Sequence, residues 1–135
     1  MAFELMLEIE DRVALDKVLS ALSSCAANPP TEKPNGVLEG WFPVSGMFYY
    51  IFRDIRRPVA AEGIGDWEPV DVDWSVGVDI LFRDQMRDYD KFRADLRCFI
   101  EKLAEISDAK FVLSHQYENV YAVRDGLGIR TRPDF

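Results

Sequence analysis

The chain has 135 residues, of which 48% are apolar and 30% are charged, and its formal net charge is −8. This length and composition suit one folded domain, covering residues 1–135. The acidic balance argues against binding to nucleic acid or to an anionic membrane surface, since both require clustered Lys and Arg, and it favours a basic protein partner.

The first predicted element is a strand with one apolar face and one acidic face, because apolar and polar residues alternate over residues 3–10. Asp11 is expected to cap the helix that follows. That helix has an apolar stripe formed by Leu15, Val18, Leu19 and Leu22.

Residues 28–36 contain three prolines and are predicted to form a loop. Residues 37–42 and 47–53 are rich in β-branched and aromatic side chains and are separated by a short connection, which predicts a hairpin. Residues 55–72 show no regular period and contain two prolines and two glycines. They are predicted to form a long loop, and loops of this length are often functional.

The clearest strand follows this loop, with alternating apolar residues from Trp74 to Phe82. Asp88 is expected to cap a second helix, whose apolar stripe runs from Phe92 to Ile106. Two short apolar runs then predict strands over residues 111–113 and 120–123, separated by a polar turn over residues 115–119. The tail from Asp125 onward is expected to be irregular.

The predicted order of elements is β-α-β-β-β-α-β-β. Hairpin-length connections favour antiparallel pairing, and two amphipathic helices can cover one face of such a sheet. The expected fold class is therefore α+β, a two-layer sandwich with a mainly antiparallel sheet and both helices on one face.

The two cysteines, Cys25 and Cys98, have no metal-type neighbours in the sequence and are predicted to be reduced thiols. The first residues lack the basic and long apolar regions of a signal peptide, and no run approaches the roughly 20 apolar residues of a membrane span. A cytoplasmic protein is therefore expected.

Groups that could carry catalysis are sparse. The single histidine, His115, is predicted to lie in a turn, and no serine lies in a nucleophile motif. Asp66, Glu68, Asp71 and Asp73 are close in sequence, but their spacing is not that of a calcium loop. We therefore expect no catalytic residues, no metal and no cofactor, and a protein that is not an enzyme.

The distribution of acids points to a binding surface. Residues 62–82 contain six acids and no Lys or Arg, together with two tryptophans. Aromatic side chains supply contact area at interfaces, and surrounding charge steers a partner of opposite sign. If Trp74 faces the core, the acids of its strand lie on the other sheet face beside those of the first strand, in one continuous acidic surface; the alternative is an ordinary solvated surface. The candidate partner-binding residues are Glu8, Glu62, Asp66, Trp67, Glu68, Asp71, Asp73 and Asp79.

Four segments, VGVDILF at 76–82, FRADLRCFIEKL at 92–103, AKFVL at 109–113 and VYAVRDG at 120–126, occur in an order that resembles small immunity proteins of bacterial polymorphic-toxin systems, of the contact-dependent or Rhs type. The resemblance covers about half of the chain, and residues 25–72 depart from it. It implies a cytosolic inhibitor that binds one cognate toxin 1:1 and blocks its active site or its access to substrate. Such toxins include nucleases, deaminases and ADP-ribosyltransferases, many of which have basic surfaces or clefts.

Two other functions remain open at this point. One is a small ligand-binding or enzymatic α+β domain with a pocket under the loop at residues 55–72, lined by Trp41, Tyr49 and Trp67. The other is a structural protein that forms homo-oligomers through an open edge of the sheet.

Overall fold

A computed structural model of the chain describes residues 3–59, 73–84, 88–117, 119–126, 128–132 and 135. It contains ten elements of regular structure. They are β1 (Phe3–Glu10), α1 (Leu15–Ser24), β2 (Thr31–Glu32), β3 (Leu38–Trp41), β4 (Phe48–Arg56), β5 (Val76–Asp84), α2 (Tyr89–Ile106), β6 (Phe111–His115), β7 (Asn119–Asp125) and β8 (Gly128–Thr131).

All eight strands form one antiparallel sheet in the order β2-β3-β4-β5-β1-β6-β7-β8. The buried residues of α1 and α2 join alternate residues of the strands in one hydrophobic core, so both helices cover the same face. The fold is the predicted α+β two-layer sandwich. Among the described residues no helix covers the opposite face of the sheet, which we call the helix-free face.

The topology places β1 and β5 at the centre of the sheet. Helix α2 joins β5 to β6, two parallel strands that have β1 between them. In β1 the predicted alternation holds: Leu5, Leu7 and Ile9 are buried beneath the helices, so the even-numbered residues of the strand face the other way.

The two helices begin differently. Asp88 caps α2 as predicted, since its carboxylate accepts a hydrogen bond of 3.3 Å from the Lys91 N–H. The prediction for Asp11 is wrong, because Ala14 occupies the N-cap of α1 and no side chain caps that helix. The Asp11 N–H instead donates to the Ser75 carbonyl, which joins the end of β1 to the segment before β5. Within the described residues, no helix is long and apolar enough to span a bilayer.

Two short strands were not predicted, and both lie at the edges of the sheet. β2 falls within the proline-containing segment predicted to be a loop, and β8 falls within the tail predicted to be irregular. β4 extends to Arg56, two residues into the predicted loop at 55–72. His115 ends β6 instead of lying in the turn, and its ring stacks on that of Phe3 at 5.0 Å. Edge strands need few apolar residues, which is why their sequence signal is weak.

A bulge in β5 changes the face on which its first residues lie. Ile9 pairs with Val78 and Glu10 pairs with Val76, so Gly77 is an extra residue with no partner on β1. A Cβ atom at residue 77 would lie 2.5 Å from the Asp11 Cα, which explains the glycine. An extra residue reverses the alternation of side chains that precede it. Accordingly Val78 belongs to the core beneath the helices, whereas Val76 does not.

The cysteines form a disulfide, so the prediction of reduced thiols is wrong. Cys25 is the C-cap of α1 and Cys98 lies in the middle of α2, with their Cα atoms 5.9 Å apart and a sequence separation of 73. Because the two helices pack side by side on the sheet, residues distant in sequence come within bonding distance. The sequence contains no local pattern from which this pairing could be predicted.

The turn after α1 has an unusual backbone. The Ala26 N–H donates to the Ser23 carbonyl and the Ala27 N–H donates to the Leu22 carbonyl. In this helix-ending pattern the residue with the left-handed conformation is usually glycine. Here Ala26 occupies that position with φ of 61°. The left-handed conformation costs about 1 kcal/mol for a residue with a Cβ atom.

Ala26→Gly is therefore expected to raise the free energy of unfolding by about 0.5 to 1 kcal/mol, measured by urea denaturation. Ala27→Gly is the matched control, since Ala27 is outside the residues with positive φ. The control should lose stability, because glycine there only adds entropy to the unfolded chain. Equal effects of the two substitutions would contradict the assignment of strain to Ala26.

Candidate functional site

The helix-free face carries an apolar patch. Tyr49 and Ile51 of β4 point into the core beneath the helices, so their neighbours Tyr50 and Phe52 face the opposite side. The register aligns Tyr50 with Leu81 of β5, and Leu81 with Met6 of β1. The patch, half-buried except for Trp41, which is 43% exposed, consists of Met6, Trp41, Phe48, Tyr50, Phe52 and Leu81.

Beside the apolar patch lies a buried ion cluster of Glu8, Arg56 and Asp79. Glu8 and Asp79 are cross-strand neighbours on β1 and β5 and are 0% and 7% exposed. Arg56 donates two hydrogen bonds of 2.7 Å to the two oxygens of Asp79 and one of 2.8 Å to Glu8. Glu8 also accepts a bond of 2.9 Å from the Val59 N–H. The cluster therefore ties the end of β4 and the residues after it to the centre of the sheet.

Two carboxylates share one guanidinium in this cluster, and the pKa values of Asp79 and Arg56 are both raised. Burial raises the pKa of Asp79, and the hydrogen bonds from Arg56 offset only part of the effect. Burial lowers the pKa of Arg56, but its bonds to Asp79 and its attraction to both acids outweigh burial and raise the pKa. Both carboxylates of the cluster are paired with the single guanidinium of Arg56, which offsets the cost of their burial.

Tyr117 covers the outer side of the cluster. Its ring lies 5.8 Å from the guanidinium carbon of Arg56, and burial together with the charge of Asp79 raises its pKa. Gln116 and Tyr117 both have positive φ values, 53° and 59°, in the turn between β6 and β7. A concave region of about 580 Å³ lies between Tyr117, Phe52 and Asp79.

Trp74 lies on this face and not in the main core. It packs against a small second cluster formed by Val112, Val120 and Val123, which Tyr117 also contacts. The premise that Trp74 faces the core is therefore wrong, and the bulge at Gly77 is the physical reason. The alternation of apolar residues predicts that all of them from Trp74 to Phe82 lie on one face. The extra residue at Gly77 instead places those before it on the opposite face.

The structure brings together two of the predicted partner-binding residues. Glu8 and Asp79 share the helix-free face as expected, but both are buried and paired with Arg56. Asp73 is exposed and lies 3.8 Å from the ammonium group of Lys110. The remaining predicted residues lie outside the described residues; they are Glu62, Asp66, Trp67, Glu68 and Asp71.

The predicted continuous acidic face is not observed on the described strands. Glu4 lies 3.2 Å from Arg83, Glu39 lies 3.0 Å from Lys33, and Glu10 lies 2.9 Å from Arg12. Each of these three acids therefore has a cation beside it. The described part of this face consequently carries an apolar patch, the buried ion cluster beside it and exposed ion pairs.

The predicted pocket lining of Trp41, Tyr49 and Trp67 is wrong for its first two members, and Trp67 lies outside the described residues. Tyr49 is paired with Gly40 and is fully buried on the helix side, where a Cβ atom at residue 40 would overlap its ring. Trp41, next in the strand, faces the opposite side. The Tyr49 hydroxyl donates a bond of 2.6 Å to the Asn28 carbonyl.

The burial of Tyr49 predicts a dependence of stability on alkaline pH. Burial raises the pKa of Tyr49 to about 12, whereas an unfolded tyrosine titrates near 10. The folded protein keeps a proton that the unfolded chain loses, so the free energy of unfolding should fall by about 2 kcal/mol as the pH rises between these values.

Urea denaturation of the native protein and of Tyr49→Phe across this pH range tests the expectation. The variant lacks the hydrogen bond and should be less stable by about 1 kcal/mol near neutral pH. The difference in free energy of unfolding between the two proteins should shrink as the pH rises, because only the native protein loses stability through the titration of Tyr49. A difference in stability that stays constant across this pH range would contradict the raised pKa of Tyr49.

Sequence reasoning missed Arg56, the residue that organises the buried cluster. The sequence predicts a loop at this position, the end of β4, and therefore does not link Arg56 to the acids of β1 and β5. The available signal is Glu8 itself, an acid in the middle of a strand. The structure places that strand at the centre of the sheet, where Glu8 is buried, and a buried carboxylate requires a cation. Comparison of the chain with protein-family models, with curated proteins and with solved structures finds no match.

Proposed function

We propose that this protein is an immunity-type inhibitor that binds a cognate toxin domain 1:1 and blocks its active site or its access to substrate. It meets the toxin in the cytoplasm, uses no cofactor and turns over no substrate of its own. The observation that carries the proposal is the apolar patch, which lies on the face of the sheet that the helices leave uncovered.

The composition of the patch supports a protein partner. Protein interfaces are enriched in Tyr, Trp, Phe and Met at their centres and have a polar rim. The patch contains these types, and the Glu4–Arg83 and Glu39–Lys33 ion pairs lie beside it. Large aromatic side chains bury much area and lose little conformational entropy on binding, so Trp41 and Tyr50 are expected to contribute most of the affinity.

The net charge supports a basic partner. Residues 60–72 contain four acids and no base, which is half of the net charge of −8. This segment follows Val59, whose N–H donates to Glu8. An excess of acidic residues accelerates association with a basic protein and makes the rate sensitive to salt.

The test is co-expression with the toxin domain encoded beside this protein's gene, followed by co-purification and measurement of affinity. We expect a 1:1 complex and rescue of growth. Trp41→Ala should weaken binding at least about tenfold, whereas Tyr89→Ala, which removes an aromatic side chain 46% exposed at the start of α2, should change it little. Absence of both complex and rescue would reject the function, and equal effects of the two variants would reject the patch as the binding surface.

A second candidate function rests on the concave region beside the buried cluster. Its volume of about 580 Å³ falls in the range of small-molecule sites. A ligand there would contact Tyr117 and Phe52, and the described lining includes neither Trp41 nor Tyr49. Retention of a small molecule through purification, lost in Tyr117→Ala, would favour this function, and a stable dimer without any partner would favour a structural role.

A further inference from the structure

The Cys25–Cys98 disulfide lies between the two helices and close to the surface. Cys25 is 6% exposed, and Cys98 is partly exposed in a shallow groove of about 310 Å³ on α2. Charged residues of both signs line the groove beside Cys98: Arg97, Glu101, Lys102 and Glu105. Cys98 therefore brings the disulfide to a partly exposed position on α2, whereas Cys25 lies on its buried side.

Cys25 is followed directly by the strained turn. Ala26 holds its left-handed conformation between two constraints, the disulfide of Cys25 before it and the bonds of Asn28 after it. The Asn28 N–H donates to the Trp41 carbonyl at 2.9 Å, and its carbonyl accepts from the Tyr49 hydroxyl. A strained backbone persists only where its surroundings impose it.

These contacts connect the disulfide to the helix-free face. Trp41 is in β3, with its side chain in the apolar patch and its carbonyl bound by Asn28. Removal of the covalent bond at Cys25 leaves only hydrogen bonds, those of the helix end and those of Asn28, on a turn that costs about 1 kcal/mol to maintain. Local opening of residues 25–28 then becomes easier and removes the hydrogen bond from Asn28 to the Trp41 carbonyl, although Trp41 stays paired with Phe48 of β4.

We propose that the Cys25–Cys98 pair is a reversible redox switch that sets the order of residues 25–28 and, through Trp41, the affinity of the apolar patch. Reduction breaks the Sγ–Sγ bond and adds two electrons and two protons, which gives two thiols. A dithiol protein of the thioredoxin class supplies both electrons and becomes a disulfide itself. Disulfides in reducing compartments are generally of this transient, regulatory kind.

Hydrogen exchange of the isolated protein tests the switch. A disulfide that acts only by restricting the unfolded chain affects global unfolding alone. Its reduction would then raise the exchange rates of amides that exchange by global unfolding, as in β1 and β5, and would leave the rates of local opening unchanged. The switch predicts an additional local effect. On reduction with a small dithiol, the Asn28 and Ala27 amides should lose protection at least about tenfold by local opening, which is distinguished by its independence of low urea concentrations.

Ala26→Gly is the matched control, since it removes the strain and keeps both cysteines. In that variant, reduction should change the local exchange of Asn28 less than it does in the native protein. The amide of Lys91, at the N-terminus of α2, should not respond in either protein. Unchanged local exchange at Asn28 would overturn the proposal, and so would global unfolding of both the reduced protein and Cys98→Ser, because the bond would then be purely structural.

The consequence for binding rests on the proposed function and is measured separately. The reduced protein should bind the toxin domain several-fold more weakly, and Trp41→Ala should abolish the difference between the two redox states. Equal affinities together with a local exchange response would show a switch that does not reach the patch and would reject this second step. Failure to bind any toxin would reject the proposed function, while the exchange experiment would still decide the switch.

Discussion

Arg56→Met is expected to lower the free energy of unfolding at neutral pH by about 3 kcal/mol, because it leaves two buried carboxylates without a counter-charge. Glu8 is fully buried and Asp79 nearly so, and Arg56 is the cation that bonds to both. Methionine preserves most of the volume, so the loss reports the charge and not a cavity. Urea denaturation measures this loss, provided that the free energy of unfolding depends on urea concentration with the same slope in both proteins.

The pH dependence of this loss has a defined sign. Burial already raises the pKa of Asp79, and removal of Arg56 raises it further. A carboxyl group with a raised pKa in the folded state stabilises the fold below its unfolded pKa and loses that contribution as the pH rises. The deficit of Arg56→Met should therefore shrink as the pH falls towards about 4.

Arg83→Met is the matched control, with the same chemical change on the same face. Arg83 and Glu4 have side chains 41% and 43% exposed, and their ion pair lacks hydrogen-bond geometry at the Arg83 Nε. Exposed pairs of this kind contribute about 0 to 1 kcal/mol. If both substitutions cost the same, the cluster of Glu8, Arg56 and Asp79 is solvated and the description of its burial is wrong.

Reduction of the disulfide is expected to lower the free energy of unfolding by about 2 to 4 kcal/mol, the second large effect. The bond closes a loop across 73 residues of sequence, for which the loss of unfolded-chain entropy is about 4 kcal/mol. Relief of strain at Ala26 on reduction subtracts a little from this value. Thermal and urea denaturation with and without a dithiol measure the change.

The double variant Cys25→Ala with Cys98→Ala should match the reduced protein within about 1 kcal/mol. A dithiol should have no effect on this variant, which separates reduction from non-specific effects of the reagent. Equal stability of the oxidised and reduced native protein would show that the bond does not restrict the unfolded chain. The assignment of the pair as a structural link between α1 and α2 would then fail.

Much of the fold could be predicted from the sequence because its signals are local. The alternation in β1, the stripe of α2 and its cap at Asp88 each depend on residues a few positions apart, and the structure confirms them. The edge strands β2 and β8 could not be predicted in this way, since they are short and partly exposed. Their formation depends on the neighbouring strand, not on their own pattern.

The candidate site could be predicted only in part. The pairing of Glu8 with Asp79 on one face follows from the alternation of their strands, but their burial does not. That burial depends on Arg56 of β4, which approaches from a third strand. The apolar patch likewise combines residues of β1, β3, β4 and β5, and no single segment shows more than two or three of its members.

The amino-acid sequence by itself determined the type of each long element, the α+β class and the acidic character of the chain, because periodicity and charge are properties of neighbouring residues. Only the tertiary structure decided the disulfide partner of Cys25, the cation that neutralises Glu8 and the face on which Trp74 lies. Each of these depends on strand order, register or the bulge at Gly77, and a change of one residue in register moves a side chain to the other side of the sheet.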